Sequence, residues 1–332
     1  MVMTVLVVSA CSRASGDANS TGASSAPSVE SSTGISGAAS AAVPGPWFGE
    51  TTRPTPGRVI LSDRAKAFVP PDTMPLFRIE PAIVTEVGMM ELADKLGMPA
   101  DREYSLSGAP DSCGAVSAGG WVLMFYRADL HCFSLRLLEG DEEAIAAFQR
   151  GEEVQAVSEA EAVAVASEYL LARGYREGLG EPTTFVRTAI GRSGGGQPEV
   201  KELAITRGVS YPVTVGGLRL IGAGVTVDVA PGGRVISFSY KVQQAVRDQV
   251  EVPILPVEEA TKDVEAGEGL LPGGVRIDNV SEVTIEDVEL GYYDPPLALA
   301  ETHYRPVYVF RVRLGDGTAG AWLVSAYRGA RR

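Results

Sequence analysis

Two alternating arms around Pro231-Gly232-Gly233 restrict this chain more than any other stretch. Before the turn, Val225-Thr226-Val227-Asp228-Val229 alternates apolar and polar residues. After it, Ile236, Phe238, Tyr240 and Val242 recur at every second position. Strand side chains point to opposite faces with a period of two, so each arm has one apolar face and one polar face. Joined by a glycine-rich turn, the arms predict an antiparallel hairpin buried on one side only. The cover lies upstream. Ser158-Glu159-Ala160-Glu161 is a capping box, in which the Ser hydroxyl and the Glu carboxylate each satisfy an unpaired backbone N–H. Ala162, Val165, Ala166, Tyr169 and Leu170 then form one apolar stripe, and Gly174 closes the helix.

This order, helix then strands, recurs along the chain. Thr85 is an N-cap candidate for a helix carrying Met89, Leu92, Ala93 and Leu96, with Gly97 as its C-cap. Strands over 121–126 and 131–137 follow, with Ala128-Asp129-Leu130 as their hairpin turn, and then a short helix from Asp141 to Phe148. Pro256 opens a later helix with Val257, Ala260 and Val264 facing inward. Strands over 281–290, 306–314 and 321–327 complete that unit, the last two joined by Gly315-Asp316-Gly317. Met74 to Ile79 reads as a short edge strand. A helix followed by antiparallel strands lies on one face of their sheet, so the fold class is α+β, built from repeated helix-plus-antiparallel-sheet units. Residues 46–150 are expected to form an N-terminal α+β domain and 151–332 a C-terminal one of two units.

The second and third units resemble the PepSY-like family of extracytoplasmic domains. The likeness lies in Ser158-Glu159-Ala160-Glu161-Ala162 opening a helix, in Gly222 to Val229 followed by Pro231-Gly232-Gly233-Arg234-Val235, in Pro306 to Phe310, and in Val324 to Tyr327. It covers roughly 155–330 and is a pattern of turns and alternation. Related arrangements occur in regulatory proteins of the YycH/YycI type, which restrain a membrane sensor kinase and usually carry a transmembrane anchor. The resemblance implies a binding, inhibitory or sensing module.

Residues 1–11 read as a lipoprotein signal. Val5-Leu6-Val7-Val8 is apolar, and Leu6-Val7-Val8-Ser9-Ala10-Cys11 resembles a lipobox, although no basic residue precedes the apolar run. Cys11 is then the lipidated residue, and the membrane is engaged through that anchor. Residues 12–45 are Ser, Gly, Ala, Thr and Pro with few bulky apolar side chains, a composition that cannot offset its ordering entropy. As a coil this tether spans roughly 30–35 Å. No other apolar run approaches the ~20 residues of a membrane helix. The expected location is extracytoplasmic, anchored to the cell membrane by lipid.

Charge excludes one class of partner. With 42 acidic against 29 basic residues, the net charge of −13 opposes nucleic-acid binding, which rests on Lys and Arg neutralising phosphates. With Cys11 lipidated, Cys113 and Cys132 remain; an oxidising compartment permits a disulfide between them, and two reduced core thiols are the equal alternative.

No catalytic, cofactor-binding or metal-binding residue is assigned. His131 and Cys132 are adjacent on a strand and point to opposite faces, and His303 lies before Tyr304 in a loop. Zinc-ligand spacing is absent. Glu142-Glu143 and Glu258-Glu259 fall in first helical turns, where they complement the helix dipole. Gly194-Gly195-Gly196 lacks the Lys of a phosphate loop. If aromatics form a recognition surface, Tyr292, Tyr293, Tyr304 and Trp322 are the candidates; the alternative is that they fill the core.

The expectation is a non-catalytic, lipid-anchored binding or regulatory protein that senses or inhibits an envelope or membrane protein partner. A structural or envelope-assembly lipoprotein is the alternative, and an envelope hydrolase with a non-standard site is the third reading. On the lipobox reading, the native protein enters the detergent phase on phase partitioning and carries a diacylglyceryl-sized mass on Cys11, whereas Cys11→Ala stays aqueous. Retention of Met1 with both forms aqueous would refute the anchor.

Overall fold

The computed structural model describes residues 3–6, 55–109, 112–126, 129–138, 142, 146–147, 154–193, 200–270, 281–294 and 302–328. In chain order, the first elements are β1 (Met3–Leu6), β2 (Val59–Leu61), α1 (Asp63–Lys66), β3 (Thr73–Ile79), α2 (Glu86–Leu96), β4 (Glu103–Ala109), β5 (Ser112–Ala118), β6 (Trp121–Tyr126) and β7 (Asp129–Leu137). Then come α3 (Glu159–Ala172), β8 (Thr183–Ser193), β9 (Val200–Tyr211), β10 (Thr214–Val215), β11 (Leu218–Ile221), β12 (Gly224–Val229) and β13 (Val235–Lys241). The last are β14 (Ala245–Pro253), α4 (Val257–Glu265), β15 (Val283–Tyr293), β16 (His303–Leu314) and β17 (Ala319–Ser325). The fold is mixed α+β, mostly sheet with few helices. The helix expected over 141–148 falls largely outside the described residues.

Local chemistry sets the helix ends. Thr85 Oγ1 accepts the Gly88 N–H at 3.1 Å, and Gly97 takes a left-handed conformation with φ 76° that ends α2. Ser158 Oγ accepts the Glu161 N–H at 3.2 Å and starts α3. Pro256 is the N-cap of α4 and has no side-chain cap to offer.

The strands form two sheets. The nine-stranded sheet runs β1-β8-β9-β12-β13-β7-β6-β5-β4. The antiparallel run β4 to β7 therefore meets the run β8, β9, β12, β13 where β7 pairs with β13, Phe133 opposite Tyr240 and Leu135 opposite Phe238. The eight-stranded sheet runs β10-β11-β15-β16-β3-β14, with β17 also on β16 and β2 also on β15. The division expected at residue 150 is thus not a division of the sheets. Strand β7 precedes that point and hydrogen-bonds to β13, which follows it, while β2 and β3 from the start of the described chain belong to the other sheet.

Helices α2 and α3 lie on one face of the nine-stranded sheet. Met89, Ala93 and Leu96 of α2 share a core with Ala162, Ala166 and Leu170 of α3 and with Leu123, Phe133, Val209, Val225, Val227 and Phe238 of the strands. Their C-terminal ends are bridged by Arg173, whose guanidinium donates to the Leu96 and Tyr169 carbonyls at 3.4 Å each and stacks 3.7 Å over the Tyr169 ring. A cation there complements the negative ends of both helix dipoles. Helix α4 covers the other sheet, with Val257, Ala260 and Val264 in a core with Tyr308, Phe310 and Trp322.

The aromatic centre of the first core straddles the β7–β13 pair. The Phe133 ring lies 5.5 Å from Phe238, 5.5 Å from Tyr240 and 6.0 Å from Tyr175. Removing that ring leaves a cavity across the seam that fixed strands cannot close. Phe133→Ala is therefore expected to cost about 3–5 kcal/mol. Urea unfolding checks this as a lowered midpoint with an unchanged slope; an unaltered midpoint would show that the seam does not hold the sheet together.

Candidate functional site

The residues singled out from sequence are not gathered into one place. Cys11 lies outside the described residues. Cys113 stands on β5 and Cys132 on β7, with the whole of β6 between them. Two strand steps separate backbones by about 9.5 Å, beyond the ~7 Å reach of a disulfide. The disulfide is therefore corrected: Cys132 is a buried thiol. Of the aromatics weighed as recognition surface or core, Tyr292, Tyr304 and Trp322 belong to the core, each 1 % exposed. Their polar ends are satisfied inside: the Tyr292 hydroxyl donates to the Pro75 carbonyl at 2.7 Å, and Trp322 Nε1 donates to the Glu268 carbonyl at 2.8 Å. Burial pushes the Tyr292 phenol up to about 12.

The two histidines serve different joints. His303 Nε2 lies 3.1 Å from Asp248 Oδ2, and its Nδ1 lies 2.8 Å from Thr302 Oγ1. This arrangement ties the start of β16 to β14, and both ionic groups are half-exposed. His131 sits beside Asp129, which begins β7 rather than lying in the expected hairpin turn. Asp129 is fully buried. Its Oδ1 accepts the backbone N–H of Ala82 at 3.2 Å and of His131 at 2.8 Å, and its Oδ2 accepts Gln243 Nε2 at 2.7 Å. The Gln243 carbonyl in turn accepts the Tyr304 hydroxyl at 3.2 Å. One carboxylate thus joins β7 to the chain leaving β3 and to the chain between β13 and β14, where one sheet passes to the other.

The feature with the character of a binding surface lies on the nine-stranded sheet, opposite the helices. Because Phe133, Phe238, Val225, Val227 and Val209 face the helices, their strand neighbours face away. Ser134 of β7 is opposite Ser239 of β13, Ser239 is opposite Thr226 of β12, Thr226 is opposite Ser210 of β9, and Ser210 is opposite Thr183 of β8. Directly paired residues share a face. Five hydroxyl side chains from five adjacent strands therefore form one row across the sheet. All five are half-buried.

The row has an unusual hydrogen-bond state. Ser134 Oγ lies 2.9 Å from the Tyr126 hydroxyl. Among the described residues, the side-chain hydroxyls of Thr183, Ser210, Thr226 and Ser239 have no intramolecular partner, and none of the four is walled off from solvent. Four residues back along β9 from Ser210, on the same face, Thr206 is 1 % exposed and its Oγ1 has no partner. Beside the row, Arg187 Nε donates to Asp228 Oδ1 at 2.9 Å. Phe185 lies over Gly208, where any side chain would collide with the ring. The alternation Phe133-Ser134-Leu135 and Ile236-Ser237-Phe238-Ser239-Tyr240 carried the signal in the sequence, in the polar face of the hairpin rather than the apolar one.

No protein-family model matches the chain, and no curated protein sequence matches it. Among solved structures, it is similar to an uncharacterized protein from Eubacterium rectale ATCC 33656, at 11 % identity over 81 % of this chain and 88 % of that one, with a TM-score of 0.45. It is also similar to the Bacillus megaterium YpeB C-terminal domain, at 12 % identity over 75 % of this chain and 95 % of that one, with a TM-score of 0.36.

The Asp129 joint makes a pH prediction. Burial alone would raise its carboxyl, but hydrogen bonds from His131 and Gln243 outweigh burial and hold it below the usual range. A carboxylate lowered in the folded state stabilises above its unfolded value near 3.9, and that stabilisation is lost as pH falls through the folded value. Asp129→Asn is expected to cost about 2–3 kcal/mol at pH 7 and to flatten the acid limb of stability below about pH 4. Denaturation curves from pH 7 to 2 check both; an acid limb identical to wild type would show that Asp129 is not the titrating group.

Proposed function

We propose that this chain is a non-catalytic binding or regulatory protein, held outside the cytoplasm by lipid on Cys11, that senses or inhibits an envelope partner. The observation that carries the reading is the row of unpartnered hydroxyls on the helix-free face of the nine-stranded sheet. A polar group that folding leaves half-buried and without a protein partner loses part of its hydration, and a ligand that bonds to it restores what was lost. Helices α2 and α3 take no part in that face. They stiffen the sheet from behind, which keeps the row in register and limits the ordering cost of binding.

The same proposal takes the chain as a set of PepSY-like units. Helix α2 precedes β4 to β7, α3 precedes β8 to β13, and α4 precedes β15 to β17. In each, the helix packs on strands that follow it in sequence. A restraining role toward a membrane sensor, as in YycH/YycI-type proteins, is the sharper version of this reading. The excess of acidic residues, 42 against 29, opposes a nucleic-acid partner.

A structural or envelope-assembly role is supported by one separate observation. Among the described residues, strand β14 is at the end of its sheet and pairs only with β3, and it carries Val246 and Val250 at 47 % and 51 % exposure. An exposed strand edge with apolar residues is a template for pairing with another chain. The two readings separate by experiment. A photo-crosslinker at Ser237, on the hydroxyl face, is expected to trap a discrete envelope component in cells, while one at Glu168 on α3 traps none. Equal trapping at both positions, or at neither, overturns the binding face. A concentration-independent dimer in light scattering that Val250→Lys converts to monomer would instead favour assembly through β14.

A further inference from the structure

The geometry points to the ligand of the hydroxyl face: an uncharged, polyhydroxylated chain, a glycan strand, lying across the β-strands along the row from Ser134 to Thr183. This inference rests on the binding reading above and names the chemistry that the face takes.

Spacing decides the direction and the kind of polymer. Neighbouring strands lie about 4.7–4.9 Å apart, so four steps place five hydroxyls over about 19 Å at a regular interval. An extended peptide presents groups to one side only every ~6.8 Å, twice its rise per residue, and drifts out of step with the row within two residues. A peptide strand also needs a sheet edge for its backbone N–H and C=O groups, and four of the five strands under the row, β9, β12, β13 and β7, are paired on both sides. A pyranose chain has one ring per repeat close to the strand spacing, with hydroxyls along its flank.

Hydrogen-bond character decides the functional group. A Ser or Thr hydroxyl both donates and accepts. A row of them is matched by groups that do the same, which are hydroxyls, whereas a carboxylate or phosphate only accepts and an ammonium only donates. The row itself is uncharged; of the charged groups on the same face, Arg187 is paired with Asp228 at 2.9 Å, and Arg136 and Lys241 stand one same-face step from Ser134 and Ser239. Phe185, seated on Gly208 with the Arg187 guanidinium 5.2 Å over its ring, closes the side of the row.

The test is calorimetric titration of the full chain with two neutral hexasaccharides, chitohexaose and cellohexaose. Wild type is expected to bind at least one. Thr226→Val with Ser239→Ala, which removes the two central hydroxyls with little change of shape, is expected to weaken binding tenfold or more. Ser210→Ala with Thr183→Val at the far end of the row is expected to do the same, and stands in if the central pair fails to fold. Thr214→Val, on exposed β10, is expected to leave affinity unchanged. Binding is expected to persist from 50 to 500 mM salt, where charge-based recognition is screened. Three outcomes overturn the inference: no binding to either glycan, wild-type affinity in both double variants, or preference for polygalacturonate that collapses with salt. Failure with glycans while the crosslink at Ser237 persists defeats the glycan assignment alone; loss of both defeats the binding face itself.

Discussion

The antiparallel pairing of β7 with β13 is the interaction on which the rest of the molecule depends. It joins two four-stranded runs, each of which would otherwise end in an open edge, into one continuous surface. On one side of the seam Phe133, Phe238, Tyr240 and Tyr175 pack ring against ring. Helices α2 and α3 close over them, their C-terminal ends held by Arg173. On the other side the same register sets Ser134 opposite Ser239, the link without which the hydroxyl row would stop at one run of strands. Core and candidate site are thus the two faces of one backbone ladder. A slip of one residue at the seam would put Phe133 and Phe238 on the helix-free face and bury the serines.

The two sheets are linked by polar chemistry as well as by Leu179 and Val242, which pack against both apolar cores. Asp129 holds Ala82, His131 and Gln243 at once, and Gln243 passes the network to Tyr304 of the second sheet. A buried carboxylate with good donors specifies one arrangement of the segments that supply them, because any other arrangement leaves the charge uncompensated. The joint therefore determines where β14 leaves β13 and where β3 approaches β7. It also explains why Asp129 belongs to a strand: a turn residue would be solvated, and this one accepts from two segments distant in sequence, at Ala82 and Gln243, as well as from His131 of its own strand.

Much of the architecture was legible in residue patterns. Thr85, Gly97 and Ser158 act as the caps their chemistry implied, and the hairpin around Pro231-Gly232-Gly233 forms with the faces its alternation implied. Strands β4 and β5 were not legible, because Ser, Gly and Ala over 103–118 give neither period; their pairing with β6 makes them strands. Strand β14 escaped for a related reason: as an edge strand it is exposed on both sides and needs no apolar face. The aromatics Tyr292, Tyr304 and Trp322 were ambiguous, since a large amphipathic side chain suits a surface and a core equally until its hydroxyl or indole N–H finds a carbonyl.

By itself the sequence determined the kinds of element, their caps and turns, and which side of each strand is apolar, because these depend on contacts within a few residues. It also carried part of the hydroxyl face, Thr226 before Pro231-Gly232-Gly233 and Ser237 and Ser239 after it, each between apolar neighbours. Only the tertiary structure decided which strands are neighbours. That choice separated Cys113 from Cys132 by a strand, drew β2 and β3 away from the residues that follow them, and lined up Ser134, Ser239, Thr226, Ser210 and Thr183. Strand order is a long-range property, set by which edges can share a core and keep every backbone group bonded, and no short-range pattern encodes it.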